Sequence, residues 1–367
     1  MQSQASAADL SAWASVPWSP VTDPDPDPDA ASITTGTTTG TTADTPIGWH
    51  KAGVPYIPSG KALSLQTLDV WIPSSGNNHN APDASSLPHL PGTWIIYIHG
   101  GAWRDPAISA SSFTPAATNL LLRAITTSTT SKKIAGLVSL NYRLSPHPHH
   151  PSPPNDDPAR QARHPDHITD ILTALAYLHR LGIITKKENW ILAGHSCGAT
   201  LAFQAVMSPA RWGLSPDALT AAAAAAAVVG FNGLYDLAGF IASPPRGYEH
   251  LCEAYREFVS GAFGEEEEGW RAVCPATAGA GGAVGWVGEW VGDGDDDDHR
   301  KRGQVVLVQS REDTLVPYQQ LEVMRAVLEG EERVAMRVME AGGDHDVIWR
   351  EGGGRMAEIL WEVVEGL

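Results

Sequence analysis

From about residue 68 onward, short unbroken apolar runs alternate with longer segments in which apolar residues recur at helical spacing. The runs lie at 68–72, 94–98, 134–140, 190–193, 228–231, 305–308 and 334–339. Each is rich in β-branched or aromatic residues and too short for a buried helix. A strand that reads apolar at every position is one covered on both faces, as in a parallel sheet. The helical patterns fall at 112–125, 167–181, 197–206, 248–259, 318–328 and 356–364. This alternation predicts an α/β fold: a mostly parallel sheet with helices on both faces.

The pattern is interrupted in four places. Residues 1 to about 45 carry Asp-Pro repeats at 23–29 and a Thr/Gly tract at 34–42. Such a composition predicts a disordered low-complexity tail, dispensable for stability and activity, ahead of one catalytic domain over 46–367. Stretches near 73–91, 145–164 and 276–302, dense in Ser, Asn, Pro, His, Gly and Asp, read as loop insertions at the surface. No fixed-period repeat is present.

With 43% hydrophobic residues in 367, the chain has material for a sizeable single core. Its net charge of −17, from 42 acidic and 25 basic residues, would repel nucleic acid and anionic membranes alike. The acidic runs at 23–29, 265–268 and 293–298 read as solvated loops. Three cysteines, an odd and low number, fit a reducing compartment. No basic-then-apolar leader or membrane-length apolar run is visible, and the alanine-rich stretch 221–229 is far too short. A cytoplasmic protein is expected.

Candidate chemistry begins at Gly194-His-Ser196-Cys-Gly198, between a predicted strand and a predicted helix. The five-residue pattern alone recurs by chance, and its position gives it weight. A serine in a tight strand-to-helix turn has its hydroxyl pushed above the sheet edge, and the flanking glycines let neighbouring chain pass close. Ser196 is the candidate nucleophile. Cys197 offers its backbone N–H while its side chain packs as a small apolar group, and His195 should point away from the serine hydroxyl.

One strand–helix–strand–helix unit earlier, the run 94–98 ends in His99-Gly100-Gly101-Ala102-Trp103. Attack on a carbonyl places negative charge on oxygen, and rigid backbone N–H groups stabilise it. Gly100, Gly101 and Ala102 form the candidate oxyanion loop, with the amides of Gly101 and Ala102 joining that of Cys197. His99 reads as a hydrogen-bonding brace rather than a metal ligand, because no second His or Cys stands at zinc-like spacing.

After the elbow this chain order calls for an acid and then a histidine. Asp313 follows the run 305–308, and His345 sits in the glycine-rich loop after 334–339; both loops should open on the edge that carries Ser196. Asp236, Glu312, Asp344 and Asp346 are rival acids, and His147, His149 and His150 read as a polar loop. No metal or cofactor is called for.

With these motifs placed, the chain resembles the fungal kynurenine formamidases of the α/β-hydrolase superfamily, from about residue 94 to about 349. The strings that carry the resemblance are His99-Gly-Gly-Ala-Trp-Arg-Asp-Pro106, Ser139-Leu-Asn-Tyr-Arg-Leu-Ser-Pro146, His164-Pro-Asp-His-Ile-Thr-Asp170, Gly194-His-Ser-Cys-Gly-Ala-Thr-Leu-Ala-Phe-Gln204, Gly233-Leu-Tyr-Asp-Leu237, Ser310-Arg-Glu-Asp-Thr-Leu-Val316 and Gly343-Asp-His-Asp-Val-Ile-Trp349. The resemblance implies an α/β-hydrolase fold, a Ser196–His345–Asp313 triad, and hydrolysis of N-formyl-L-kynurenine in tryptophan breakdown. It also implies, in many members, a homodimer. A small acyl group with an aromatic leaving group would suit Trp103 as a wall of the site, or else as a packing residue. Arg104 would either receive the substrate carboxylate or pair with Asp105 or another acid to brace the loop. A broad-specificity carboxylesterase with the same triad and a non-catalytic hydrolase-fold binding protein are the alternatives.

Overall fold

The structure, a computed structural model, describes residues 5–25, 45–57, 61–74, 81–127, 134–151, 157–184, 190–214, 225–278, 285–291 and 303–367. Its strands are β1 (Ser19–Val21), β2 (Gly48–Pro55), β3 (Thr67–Pro73), β4 (Thr93–Ile98), β5 (Ile134–Leu140), β6 (Trp190–His195), β7 (Ala227–Phe231), β8 (Gly303–Gln309) and β9 (Val334–Glu340). They form one nine-stranded sheet in the order β1-β2-β3-β5-β4-β6-β7-β8-β9. The pairs from β1 to β5 along this order are antiparallel, and all the others are parallel. The expected α/β architecture is the one found.

Every residue of β4, β5, β6 and β7 is buried, which is why these strands read as unbroken apolar runs. Alternate side chains serve opposite faces. Trp94, Ile96 and Ile98 of β4 join one core with the helices α3 (Asp166–Arg180) and α4 (Cys197–Ala205). Ile95 and Tyr97 join the other, with α2 (Thr114–Thr126) and the C-terminal helix Gly354–Gly366. Each large aliphatic side chain so buried contributes on the order of 2 kcal/mol. The strand order turns at β4, with β5 on one side and β6 on the other. The crevice beyond the carboxyl ends of β4 and β6 is therefore a topological switch point, where open sheets of this kind bind ligands.

The expectation of a disordered tail over 1–45 is corrected for residues 5–25. A helix, α1 (Ala7–Ala14), begins with a capping box between Ser6 and Asp9, and β1 extends the sheet. Trp13 is 2% exposed, and buried Asp9 pairs with Arg180 at 2.9 Å. Lys51 donates to the carbonyls of Trp13 and Val16 and lies 4.9 Å from the Trp18 ring centroid. Residues 26–44, with most of the low-complexity sequence, lie outside the described residues.

The three predicted surface insertions are also corrected in part. Leu87, Ala159, Ala162, Trp286 and Trp290 are buried, and helix Trp286–Val291 packs both tryptophans into the core. Isolated apolar residues inside Pro- or Gly-rich stretches anchor those loops. Residues 75–80, 152–156, 279–284 and 292–302 lie outside the described set.

Candidate active site

The turn after β6 is as sharp as a nucleophile elbow requires. Ser196 has φ 55° and ψ −124°, a conformation that L-residues rarely adopt, and its N–H donates to Phe231 O at 2.8 Å. The two motif glycines are explained by contact. A Cβ at Gly194 would stand 2.1 Å from Gly198 O, and one at Gly198 would stand 2.3 Å from Ile98 O. No side chain fits at either position while β6, α4 and the end of β4 stay this close.

The loop after β4 curls through consecutive left-handed residues: Gly101 at φ 98°, Ala102 at 50° and Trp103 at 58°. Gly100 lies against the elbow, since a Cβ there would be 3.1 Å from Ser196 Cβ. Gly101 and Ala102 line the same cavity as Ser196. The Cys197 side chain sits beneath the loop. Its sulfur accepts the Trp103 N–H at 3.3 Å and lies 3.6 Å from the Tyr142 hydroxyl, which donates to His99 O at 3.1 Å. Burial pushes the Cys197 thiol up to about 11, so a thiolate is not available near neutrality. His99 stacks on Tyr142 with centroids 4.5 Å apart, and burial holds its pKa down to about 4. It is the neutral brace expected from its position.

Asp313 and His345 meet as the chain order predicts. Asp313 Oδ2 lies 2.7 Å from His345 Nδ1. Asp313 Oδ1 accepts the N–H groups of Leu315 and Val316 at 2.8 and 2.7 Å, and Gln309 Nε2 donates to Oδ2 at 3.2 Å. The carboxylate is thus held by four donors in a site only 2% exposed. The rival acids are occupied elsewhere. Asp236 caps the helix Leu237–Ala242 through Gly239 N at 2.9 Å, Glu312 accepts from Gly343 N at 2.7 Å, and Asp344 accepts from Thr314 N at 2.9 Å.

Sequence reasoning missed two polar residues at strand ends. Asn232, at φ 45°, follows β7; it donates to His345 O at 2.9 Å and accepts from Ser310 N at 3.0 Å. Gln309 ends β8 and holds Asp313 and Val316. The available signal was an amide side chain closing an otherwise apolar run. His195, set aside as pointing away from the serine, is buried with Nε2 2.9 Å from His345 O.

Ser196 and His345 open onto a cavity of about 310 Å³ whose walls include Ala102, Arg104, Leu234, Tyr255, Phe258 and Leu315. This lies at the small end of ligand pockets, roughly 300–1,000 Å³. Trp103 is corrected as a cavity wall. Its left-handed backbone turns the indole under the loop, where it is fully buried against Phe263 at 4.9 Å, and the backbone N–H of Trp103 donates to the Cys197 sulfur. Arg104 reaches the cavity but is paired with Glu257 at 2.7 Å, a brace to the helix Cys252–Phe263. His147, expected in a polar loop, also lines the cavity. His195, His345 and Asp346 bring donor atoms within 4.8 Å of one another, yet Asp346 holds Arg350 and His345 Nδ1 holds Asp313. Among the described residues no helix is long and apolar enough to cross a membrane.

No protein-family profile matches the chain. Among solved structures, esterase B from Lactobacillus rhamnosis, bound to an inhibitor, superimposes with a TM-score of 0.55 at 13% identity, over 98% of this chain and 92% of that one. A truncated carbohydrate esterase from gut microbiota gives 0.53 at 17% identity, over 87% and 96%. These likenesses show the fold, that of the α/β-hydrolases. Among curated sequences, a kynurenine formamidase-like hydrolase of Fusarium equiseti is 36% identical over 311 residues, 83% of this chain and 91% of that protein. A kynurenine formamidase of Aspergillus versicolor is 31% identical over 315 residues, 82% and 96%. At that identity over nearly whole lengths, and with an α/β-hydrolase sheet carrying the elbow at its switch point, this chain belongs to the kynurenine formamidase family of α/β-hydrolases.

Proposed function

We propose that the protein is a serine hydrolase that cleaves N-formyl-L-kynurenine to L-kynurenine and formate. The observation that carries the catalytic reading is the contact of 2.7 Å between His345 Nδ1 and Asp313, on the wall of a cavity that also opens on Ser196 and the oxyanion loop. An Nδ1–H directed at a carboxylate leaves Nε2 with its lone pair free, the tautomer that a general base needs. Ser196 Oγ attacks the formyl carbon as His345 takes its proton. The oxyanion falls to the amides of Gly101, Ala102 and Cys197, with Gly100 giving the loop room. His345 passes the proton to the departing arylamine. Water then cleaves the formyl-enzyme, His345 again acting as base.

The leaving group fits the rest of the cavity. Leu234, Tyr255, Phe258 and Leu315 supply apolar and aromatic surface for an aryl ring. The α-amino acid end carries both charges. The cavity wall carries Arg104 and the pair of Arg350 with Asp346 at 3.0 Å, so a zwitterion meets both an acid and bases despite the chain's net charge. The three cysteines are free, which suits a reducing cytoplasm. The family reading carries a homodimer with it, open to light scattering. The deciding experiment is release of formate from N-formyl-L-kynurenine by the purified protein, alongside a short-chain aryl ester. Faster turnover of the formamide supports the proposal; ester turnover without formate release replaces it with a carboxylesterase.

A further inference from the structure

We infer that His195 and Asn232 are positioning residues that hold His345 through its backbone carbonyl. His195 Nε2 and Asn232 Nδ2 each lie 2.9 Å from His345 O. One donor comes from the residue before the nucleophile and the other from the end of β7. The carbonyl of the base is therefore tied to the serine elbow itself. A carbonyl can only accept, so the proton of His195 is on Nε2. Its Nδ1 is buried without a hydrogen-bond partner and faces the oxyanion loop, where a Cβ at Gly100 would come within 2.9 Å. The ring thus sits between the oxyanion loop and the base loop, on a strand end fixed by the sheet.

Asn232 extends the same tie to the acid. Its N–H continues the β7–β8 ladder to Val308 O at 2.8 Å, and its Oδ1 accepts from Ser310 N at 3.0 Å, three residues before Asp313. The Ser310 hydroxyl donates to Gly343 O, in the loop that carries His345. One amide side chain bridges the acid loop and the base loop, and the left-handed backbone at φ 45° is the conformation in which it does so. Asparagine tolerates that conformation better than most residues. His195 must stay neutral, because its ring centroid is 4.7 Å from that of His345, which becomes cationic during turnover. Burial, followed by the proximity of His345, keeps its pKa well below the ordinary histidine value.

The inference rests on His345 acting as base and is independent of the substrate. The test compares His195→Ala, His195→Gln and Asn232→Asp with the unaltered protein. A glutamine can place its Nε2–H near the position of the imidazole Nε2–H, and an aspartate keeps the acceptor for Ser310 while losing the donor. The readouts are kcat and KM for an aryl formamide, the rate of Ser196 labelling by a fluorophosphonate, and the melting temperature. Displacing a base by about 1 Å costs on the order of 100-fold. The expected result is a kcat and labelling loss of that order for His195→Ala and Asn232→Asp, with KM within twofold, and recovery to within about tenfold in His195→Gln. Unchanged labelling in folded His195→Ala and Asn232→Asp overturns the inference, as does a loss in His195→Gln equal to that in His195→Ala. If His195→Ala does not fold, Asn232→Asp and His195→Gln decide by the same criteria. Failure of the unaltered protein to label at Ser196 overturns the triad reading beneath it, whereas labelling without formate release overturns only the choice of substrate.

Discussion

Asp313→Asn isolates the role of the acid, because the surroundings dictate how an asparagine would sit. Asp313 Oδ1 accepts two backbone donors, Leu315 N at 2.8 Å and Val316 N at 2.7 Å. An asparagine must leave its carbonyl oxygen there, or else face two N–H groups with an NH₂. The amide nitrogen then takes the Oδ2 position, 2.7 Å from His345 Nδ1. It can only donate, so Nδ1 must present its lone pair and the imidazole proton moves to Nε2. That proton then faces the serine, and the base can no longer receive the Ser196 hydrogen. Holding the wrong tautomer costs about 10⁴ in kcat in serine proteases, or about 5 kcal/mol of barrier. The exchange leaves the Leu234, Tyr255 and Phe258 side chains of the cavity unaltered, so KM should change little. The new NH₂ also opposes the Gln309 Nε2 donor, now 3.2 Å from Oδ2. That mismatch should cost about 1 kcal/mol of stability, since Gln309 keeps its bond to Val316 O at 2.9 Å. The assay is formate release under saturating substrate, with fluorophosphonate labelling and a denaturant melt on the same preparation. A kcat loss under tenfold in a folded variant would refute the tautomer argument and leave Asp313 a structural carboxylate.

Ser196→Ala and His345→Ala should each lower kcat by about 10⁶ with native circular dichroism, the losses not adding in the double variant; activity above a hundredth of the original in either would displace that residue from the triad. Trp13→Ala should lower unfolding free energy by about 3 kcal/mol, because the indole is 2% exposed and the helix around it also carries the Asp9–Arg180 pair; urea melts unchanged from the original would return residues 5–25 to the status of a dispensable tail. Acid should destabilise the protein well above the carboxylate range. Burial holds His99 at about 4 and His167 at about 3 in the folded state, against about 6.5 unfolded. Below pH 6.5 the unfolded chain therefore binds protons that the folded chain refuses. Each ring then removes up to about 1.4 kcal/mol per pH unit, until the folded rings protonate near their own values. Urea melts between pH 7 and 5 test this, and a flat profile across that interval contradicts it.

The central strands and the positions of the candidate triad residues were legible because one cause controls most of both. A strand covered on two faces must be apolar throughout, so β4 to β8 stand out in the sequence, and the carboxyl ends of β6 and β8 locate the loops that carry Ser196 and Asp313; His345 follows the more exposed β9. The two N-terminal strands were not legible for the converse reason. Strand β2, Gly-Trp-His-Lys-Ala-Gly-Val-Pro, mixes buried and exposed positions around a bulge and has no clean period. Strand β1 is three residues long. The helix Ala7–Ala14 is short and takes its stability from tertiary partners, Arg180 and the side chains around Trp13, which no local pattern announces. Trp103 was misread for a related reason. Whether a residue on a site loop faces the ligand or the core depends on the sign of φ, and a φ of 58° at a tryptophan is not written in its neighbours.

That same sign connects the site to the energetics of the whole fold. Among the described residues, the non-glycine residues with positive φ are Ala102, Trp103, Ser196 and Asn232. All four follow the carboxyl ends of β4, β6 or β7, Ala102 and Ser196 lining the cavity and Trp103 and Asn232 buried, and each costs roughly 1–2 kcal/mol relative to a right-handed backbone. Strain confined to the rim of a site, with a relaxed core beneath, has to be offset by local contacts or it would relax. Three of the four have such a contact of their own. Ser196 N–H is held by Phe231 O, Trp103 is anchored by its buried indole and by the Cys197 sulfur, and Asn232 is held by bonds to two loops. Ala102 stands between Gly101 and Trp103 and inherits their geometry. The anchors are therefore as much a condition of the site as the reacting groups. The Cys197 sulfur and the Asn232 side chain never need to touch a substrate, yet they hold the loop after β4 and the His345 carbonyl in a conformation that their own backbones would otherwise leave.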